Sequence, residues 1–345
     1  MPVHVVTSRS NDDNRRGFPR TLRLPHSELP EPQGGCIRIG LINNMPDAAF
    51  KQTERQFVSL LDAASESIEV RLSLYALPCI PRAEPDIREA ASLYSSVEML
   101  WSAGLDGLIV TGKEPATPDL RDEPCWEMMT RILEWARENT HSTVWSCLAA
   151  HAAVLHMDGI GRHRSADKHF GVFECVRVSE HPLLAGAPLR FNIPHSRWNG
   201  VDAEDLEARG YRVLARTADA GVDSFVKEGK SLFVFFQGHP EYEPDTLLRE
   251  YRRDVERYLR HEASTYPSIP RGYFDPAIER ALAALREKAI SGADDEHCAH
   301  LATALKTSTN ENTWHRTAVH IYRNWLEQIR ARKNASQSPN HAKIA

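Results

Sequence analysis

The 345-residue chain contains no apolar run approaching the roughly 18 residues that a bilayer span requires, so it is expected to stay out of membranes. Its first residues, MPVHVVTSRSNDDNRRG, lack the continuous apolar segment of a secretory signal. Positive charge is in short supply as well. Lys and Arg total 42 against 47 Asp and Glu, a formal net charge of −5. That balance argues against a general nucleic-acid binder while leaving room for local basic pockets. Cysteine is sparse, with six residues at 36, 79, 125, 147, 175 and 298, no C-x-x-C pair and no zinc-ligand spacing. They read as reduced thiols of a cytoplasmic protein with no metal site. No internal repeat is present. What remains, 41% apolar and 26% charged residues, describes a globular chain long enough to bury a substantial core.

Residues 1–35 are polar, basic and proline-bearing, and read as a surface arm or linker. From Cys36 onward the patterning alternates. Strand signals at 36–42, 68–75, 106–112, 143–145 and 232–236 are interleaved with helical spacing at 50–64, 87–103, 126–138 and 245–261. Residues 163–174 read as a polar loop feeding a strand, 193–198 as a polar loop, and 211–216 and 223–227 as short strands. The alternation predicts an α/β domain over 36–262, with a mostly parallel sheet covered by helices on both faces. A helical extension over 263–332 is expected to follow, with helices at 277–290 and 314–332 around an irregular 266–276 and a polar 291–312. The tail 333–345 is expected to be disordered.

In such sheets, sites collect at the carboxyl ends of the strands. There lie 43–47, 112–116 and the stretch STVWSCLAAHAAVLHMDGI at 142–160. Cys147 stands where a short strand turns into an Ala-rich helix. A cysteine so placed can be an exposed nucleophile, with the N–H of Leu148 available to an oxyanion. The local pattern fits a packed thiol equally well. The second signal is Gly238-His239-Pro240-Glu241, directly after the apolar run Leu232–Phe236. A cysteine nucleophile needs a base, and the base benefits from a group that orients it. His239 and Glu241, two apart, share one side of an extended chain and suit those roles.

Cys147 on a strand–turn–helix with a later His-Pro-Glu resembles the class I glutamine amidotransferase architecture. The wider pattern is more similar still to the homoserine O-acyltransferase (homoserine O-succinyltransferase) family. The matching stretches are NNMPDAAFKQTERQF at 43–57, DGLIVTGKEP at 106–115, 142–160 as above, ADKHFGVFE at 166–174, PHSRW at 194–198 and GHPEYEPDTLLREYRRD at 238–254. The segment 314–326 resembles the family's terminal helix.

The resemblance implies an acyl-enzyme nucleophile at Cys147, a general base at His239 and its supporting acid at Glu241. It further implies substrate-contacting Lys168 and Ser196, and Arg253 as the binder of the amino-acid carboxylate. Taken singly, Lys168 and Arg253 would pass for solvated surface charges and Ser196 for a turn hydroxyl. The position that tunes acyl size in the family falls on Ala116, whose small side chain favours succinyl over acetyl. The family's usual TGAP is here TGKEPA, and Lys113 reads as a surface lysine, with pairing to a succinyl carboxylate as the alternative. His151 stands where many members carry glutamine. Acyl-CoA as co-substrate, L-homoserine as acceptor, no bound cofactor and a homodimer are further implications. A homoserine or serine O-acetyltransferase and a glutaminase-type hydrolase are the alternatives, although a glutaminase would carry a glycine-flanked cysteine where this chain has Ser146 and Leu148. A non-catalytic binding protein on the same fold is a third.

Overall fold

The computed structural model describes residues 3–7, 22–25, 28–29, 35–83, 93–292, 296–305 and 311–337. Twelve strands form one sheet: β1 (Val3–Thr7), β2 (Leu22–Pro25), β3 (Ile37–Ile42), β4 (Val70–Ala76), β5 (Ser95–Ser96), β6 (Gly107–Val110), β7 (Ser142–Ser146), β8 (His163–Arg177), β9 (Arg190–Gly200), β10 (Arg212–Thr217), β11 (Gly221–Lys227) and β12 (Leu232–Phe236). Their order is β2-β1-β4-β3-β6-β7-β12-β11-β10-β8-β9, with β5 beside β4. Pairs from β2 to β12 are parallel and those from β12 to β9 antiparallel.

Side chains of successive strand residues point to opposite faces, so each central strand feeds two cores. Val144, Val234 and Phe236 pack on one face, under α1 (Asp47–Ser65) and the last helix, α8 (His315–Gln337). Trp145, Phe233 and Phe235 pack on the other, under α2 (Trp126–Asn139), α3 (Leu148–Asp158) and α4 (Ala203–Ala208). A further cluster joins α5 (Thr246–Leu259), α6 (Pro276–Ile290) and α7 (His297–Leu305) around Tyr251, Phe274 and Trp314. The α/β layers with helices on both faces match the sequence expectation.

Several local expectations are corrected. Parts of the arm, β1 and β2, are parallel edge strands continuing from β4, because Val3 and Val5 find a place in the core. The segments 163–174 and 193–198 are not loops. They belong to β8 and β9, a long antiparallel hairpin whose apolar residues Phe170, Phe173, Phe191 and Ile193 are buried while alternate polar ones stay accessible. Of the helix expected at 87–103, residues 84–92 lie outside the described residues, and the remainder holds β5 and a 3-10 turn at Val97–Ser102. The polar 291–312 contains α7. Helix α8 runs on to Gln337, so the tail begins later than expected, and 338–345 lie outside the described residues. The last helix also belongs to the main core rather than to an appended unit, since Trp325, Leu326 and Ile329 pack with β3 and β4 residues.

The cysteines are not all reduced thiols. Cys79 and Cys125 form a disulfide with Cα atoms 5.5 Å apart, bridging the loop after β4 and the residue before α2. Cys36, Cys147, Cys175 and Cys298 are free. A spacing of 46 residues gave no local clue to the pairing, which the parallel sheet creates by bringing both loops to its carboxyl edge.

Candidate active site

Strand β7 lies between β6 and β12 and ends at Ser146, and α3 begins at Leu148. Cys147 makes the turn alone, at φ 52° and ψ −112°. A non-glycine residue at positive φ is strained, and here the strain turns the half-buried side chain out of the sheet at a helix N-terminus. The turn is fixed by the Cys147 N–H, which donates to Phe236 O at 2.7 Å. Gly112, after β6, allows the close approach. A Cβ there would sit 2.8 Å from Leu148 N and 3.2 Å from Cys147 Cβ. Without it the Leu148 N–H stays open beside the sulfur.

His239 follows β12 and is held by its neighbours. Its N–H donates to Pro194 O at 2.8 Å, and Gln237 N donates to Asp223 O at 2.7 Å. Gln237 is in turn bonded to His151 Nε2 at 2.8 Å. Burial lowers the His151 pKa to about 3, so this residue is a neutral strut. On the imidazole, His239 Nδ1 donates to Glu241 Oε1 at 2.7 Å, and the ring also hydrogen-bonds Cys147. Burial disfavours the charged ring. The Glu241 carboxylate and the Cys147 sulfur overcome it and raise the pKa well above 6.5. Tyr242 stacks on the imidazole, with centroids 4.3 Å apart and planes 16° apart, and fixes its tilt.

From Tyr242 the network runs outward. Its hydroxyl donates to Glu250 Oε1 at 2.5 Å, and the Ser196 hydroxyl donates to Glu250 Oε2 at 2.5 Å. On the next turn of α5, Asp254 accepts from Lys168 Nζ at 3.2 Å and from Arg253 Nε and Nη2 at 2.9 and 2.8 Å. Burial raises the Asp254 pKa, but the two cations outweigh it and hold the carboxyl below its usual range. The structure thus joins Ser196 to His239 through Glu250 and Tyr242. It gathers Lys168 and Arg253 on one carboxylate of the same helix. Tyr242, Glu250 and Asp254 were not singled out from sequence. The signal was present in the spacing 250, 253, 254, which is one helical face.

Ala116 is exposed, in the loop after β6. Lys113 is not a surface lysine: its side chain is 16% exposed and ion-paired with Glu123. A narrow cavity of about 30 Å³ opens beside Leu148, lined by Gly112, Lys113, Glu123, Trp126 and Ala152 among others.

Below His239 the buried side chains of Cys175, His195 and Asp223 bring a sulfur, a nitrogen and an oxygen within 4.8 Å of one another. His195 Nδ1 accepts from Arg197 Nε at 3.2 Å, and Nε2 faces Asp223 Oδ1 at 3.2 Å. Burial drives the Cys175 thiol far up from its ordinary pKa, so here it is a neutral thiol. A Cβ on Gly238 would lie 2.6 Å from Asp223 Oδ1 and 2.9 Å from His195 Nε2, so this corner admits only glycine at 238. The network braces the strand ends that present His239.

At the carboxyl edge of a parallel sheet the strand-to-helix turn at Cys147 meets a charged histidine and its carboxylate partner, groups able to carry acyl transfer. The family model for homoserine O-succinyltransferase matches residues 20–335. A homoserine O-succinyltransferase of Rhodopseudomonas palustris is 48% identical over 84% of this chain and 87% of its own. One from Methylorubrum extorquens is 44% identical over 89% and 95%, and one from Bradyrhizobium japonicum 43% over 84% and 89%. Among solved structures, a glutamine amido transferase from Methylobacillus flagellatus is 15% identical, covering 90% of this chain and 99% of that one at a TM-score of 0.49. No helix among the described residues is long and apolar enough to cross a membrane. The chain belongs to the homoserine O-succinyltransferase family.

Proposed function

We propose that the protein transfers the succinyl group of succinyl-CoA to the side-chain hydroxyl of L-homoserine through a thioester on Cys147, a step of methionine biosynthesis. The observation that carries the chemistry is the Cys147–His239–Glu241 chain of contacts at the elbow. In the first half-reaction the Cys147 sulfur attacks the thioester carbonyl, with the oxyanion on the Leu148 N–H. The C–S bond to coenzyme A breaks, and the leaving thiolate takes the His239 proton. In the second, neutral His239 removes the proton of the homoserine hydroxyl, whose oxygen attacks the acyl-Cys147 carbonyl. Release of the ester restores the sulfur and the imidazolium. Glu241 stabilises the imidazolium and fixes its tautomer.

Arg253 spends Nε and Nη2 on Asp254 and keeps other N–H donors for the homoserine carboxylate. Lys168 and Ser196 border the same space. The small side chain of Ala116 leaves room for succinyl. As the family resemblance implies, we read the enzyme as a cytoplasmic homodimer that uses acyl-CoA as co-substrate and needs no bound cofactor.

The test is a matrix of succinyl-CoA and acetyl-CoA against homoserine and serine, with CoA release as readout. Succinyl-CoA with homoserine is expected to give the highest kcat/KM. Brief incubation with succinyl-CoA alone should add one acyl group to the intact mass, and Cys147→Ala should abolish both the adduct and turnover. A Cys147→Ala protein that transfers acyl groups at the wild-type rate sinks the scheme. Ammonia release from glutamine would favour a glutaminase instead.

A further inference from the structure

Glu123 stands just before α2, and its buried carboxylate is committed to one short loop. Oε1 accepts from the N–H of Ala116 at 2.6 Å, the N–H of Thr117 at 2.9 Å and the Thr117 hydroxyl at 3.1 Å. Oε2 takes the Lys113 ammonium. The carbonyl side of the same loop is bound from the opposite direction. Arg162, in the connection from α3 to β8, donates Nη2 to Pro118 O at 3.1 Å and to Thr117 O at 3.4 Å. An anion therefore holds the loop's N–H groups and a cation its C=O groups.

Two features lift this clamp above ordinary loop support. It grips Ala116 itself, the position read as setting acyl size. It sits at the reaction centre, because Lys113 and Glu123 line the cavity with Gly112 and Leu148, the residues that frame the oxyanion-binding N–H. Burial alone would favour the neutral acid. The Lys113 ammonium and the N–H groups of Thr117 and Ala116 offset that and keep Glu123 ionised.

We propose that Glu123 is a positioning residue for donor selection: its side-chain oxygens fix the loop that carries Ala116, so the width of the acyl pocket depends on this side chain. The inference rests on the reading of Ala116 as the acyl-size position. It predicts that preference for succinyl-CoA over acetyl-CoA falls when the acceptor oxygens at 123 are lost, even though Ala116 is unchanged. Glutamine at 123 keeps an acceptor oxygen for the two N–H groups and should preserve most of the preference.

The experiment measures kcat/KM for both donors, with homoserine as acceptor, in the wild type, Glu123→Ala and Glu123→Gln. In Glu123→Ala the ratio of succinyl-CoA to acetyl-CoA is expected to drop about tenfold, the scale on which a pocket discriminates small size differences. Glu123→Gln should stay near the wild-type ratio, and the KM for homoserine should not move. If Glu123→Ala fails to fold, Glu123→Asp is read in its place, because a carboxylate one methylene shorter cannot reach Ala116 N and Lys113 together. It should also lower the ratio. Equal losses for both donors, with the ratio intact, would show mere structural support and overturn the proposal. A wild type that acylates homoserine from neither donor defeats the reading of function, and the donor-selection role with it.

Discussion

His239 is a buried side chain carrying a charge, and burial by itself would strip its proton. Glu241 is the largest of the influences that reverse this. A histidine whose folded pKa is raised contributes stability that is fully present below its unfolded pKa, about 6.5, and is lost as pH rises through the folded pKa. Glu241→Gln removes the anion and keeps the shape. It should destabilise the protein most near pH 6 and progressively less under alkaline conditions, as thermal melts across pH would record. The pH at which the imidazolium of the free enzyme deprotonates should also fall, moving the limb of kcat/KM for succinyl-CoA downward. Loss of a properly held base typically costs about 10²- to 10⁴-fold in rate, which is the expected fall in kcat. A variant with an unshifted pH profile would mean that Glu241 merely packs against the ring.

At the scale of elements, what could be read from sequence was what is local. The elbow at Cys147 is announced by a strand and a helix that meet at one residue, and His239 by the apolar strand that precedes it. Strands β8 and β9 were missed because their alternate residues, such as Lys168 and Ser196, face the site rather than a core, so apolar alternation is diluted. Helix α8 was recognised as a helix, but its partner could not be. Trp325 donates its indole N–H to Ser142 Oγ at 2.8 Å across 183 residues of chain, and Ile329 lies against Gly107. Ser142 opens the strand that leads to Cys147, so the last helix supports that turn from beneath. Trp325→Ala empties a fully packed position and is expected to cost about 3–5 kcal/mol in urea unfolding. Trp325→Phe, which keeps most of the volume and leaves the Ser142 hydroxyl without that donor, should cost about 1 kcal/mol. Similar losses for the two would show that packing is not what Trp325 supplies.

For the whole molecule, the question is how the carboxyl edge of the sheet is kept in order when its loops come from strands far apart in sequence. Hydrogen bonds do part of this, as between Asn44 Nδ2 and Thr111 O at 2.9 Å, and Arg257 of α5 reaches Glu114 at 3.4 Å. The Cys79–Cys125 disulfide adds a covalent tie across 46 residues that include β5, β6 and the Ala116 loop. Cys125 also lines the cavity beside Leu148. On the chain-entropy account, closing a loop of this length stabilises the folded state by about 4 kcal/mol. A cytoplasmic setting would keep such thiols reduced, so the tie is expected to respond to redox conditions in a way the reacting sulfur does not share. Thiol titration of the unreduced, unfolded protein should find four free cysteines, and six after reduction. Reductant should lower the wild-type unfolding free energy by up to about 4 kcal/mol. The double variant Cys79→Ser/Cys125→Ser should start from that lower value and be insensitive to reductant. Its donor ratio should move toward that of Glu123→Ala if the tie helps hold the start of α2, and with it the carboxylate that clamps the loop. Six free thiols before reduction would remove the tie from the account, and the order of that edge would then rest on Glu123, Arg162 and the Asn44–Thr111 bond.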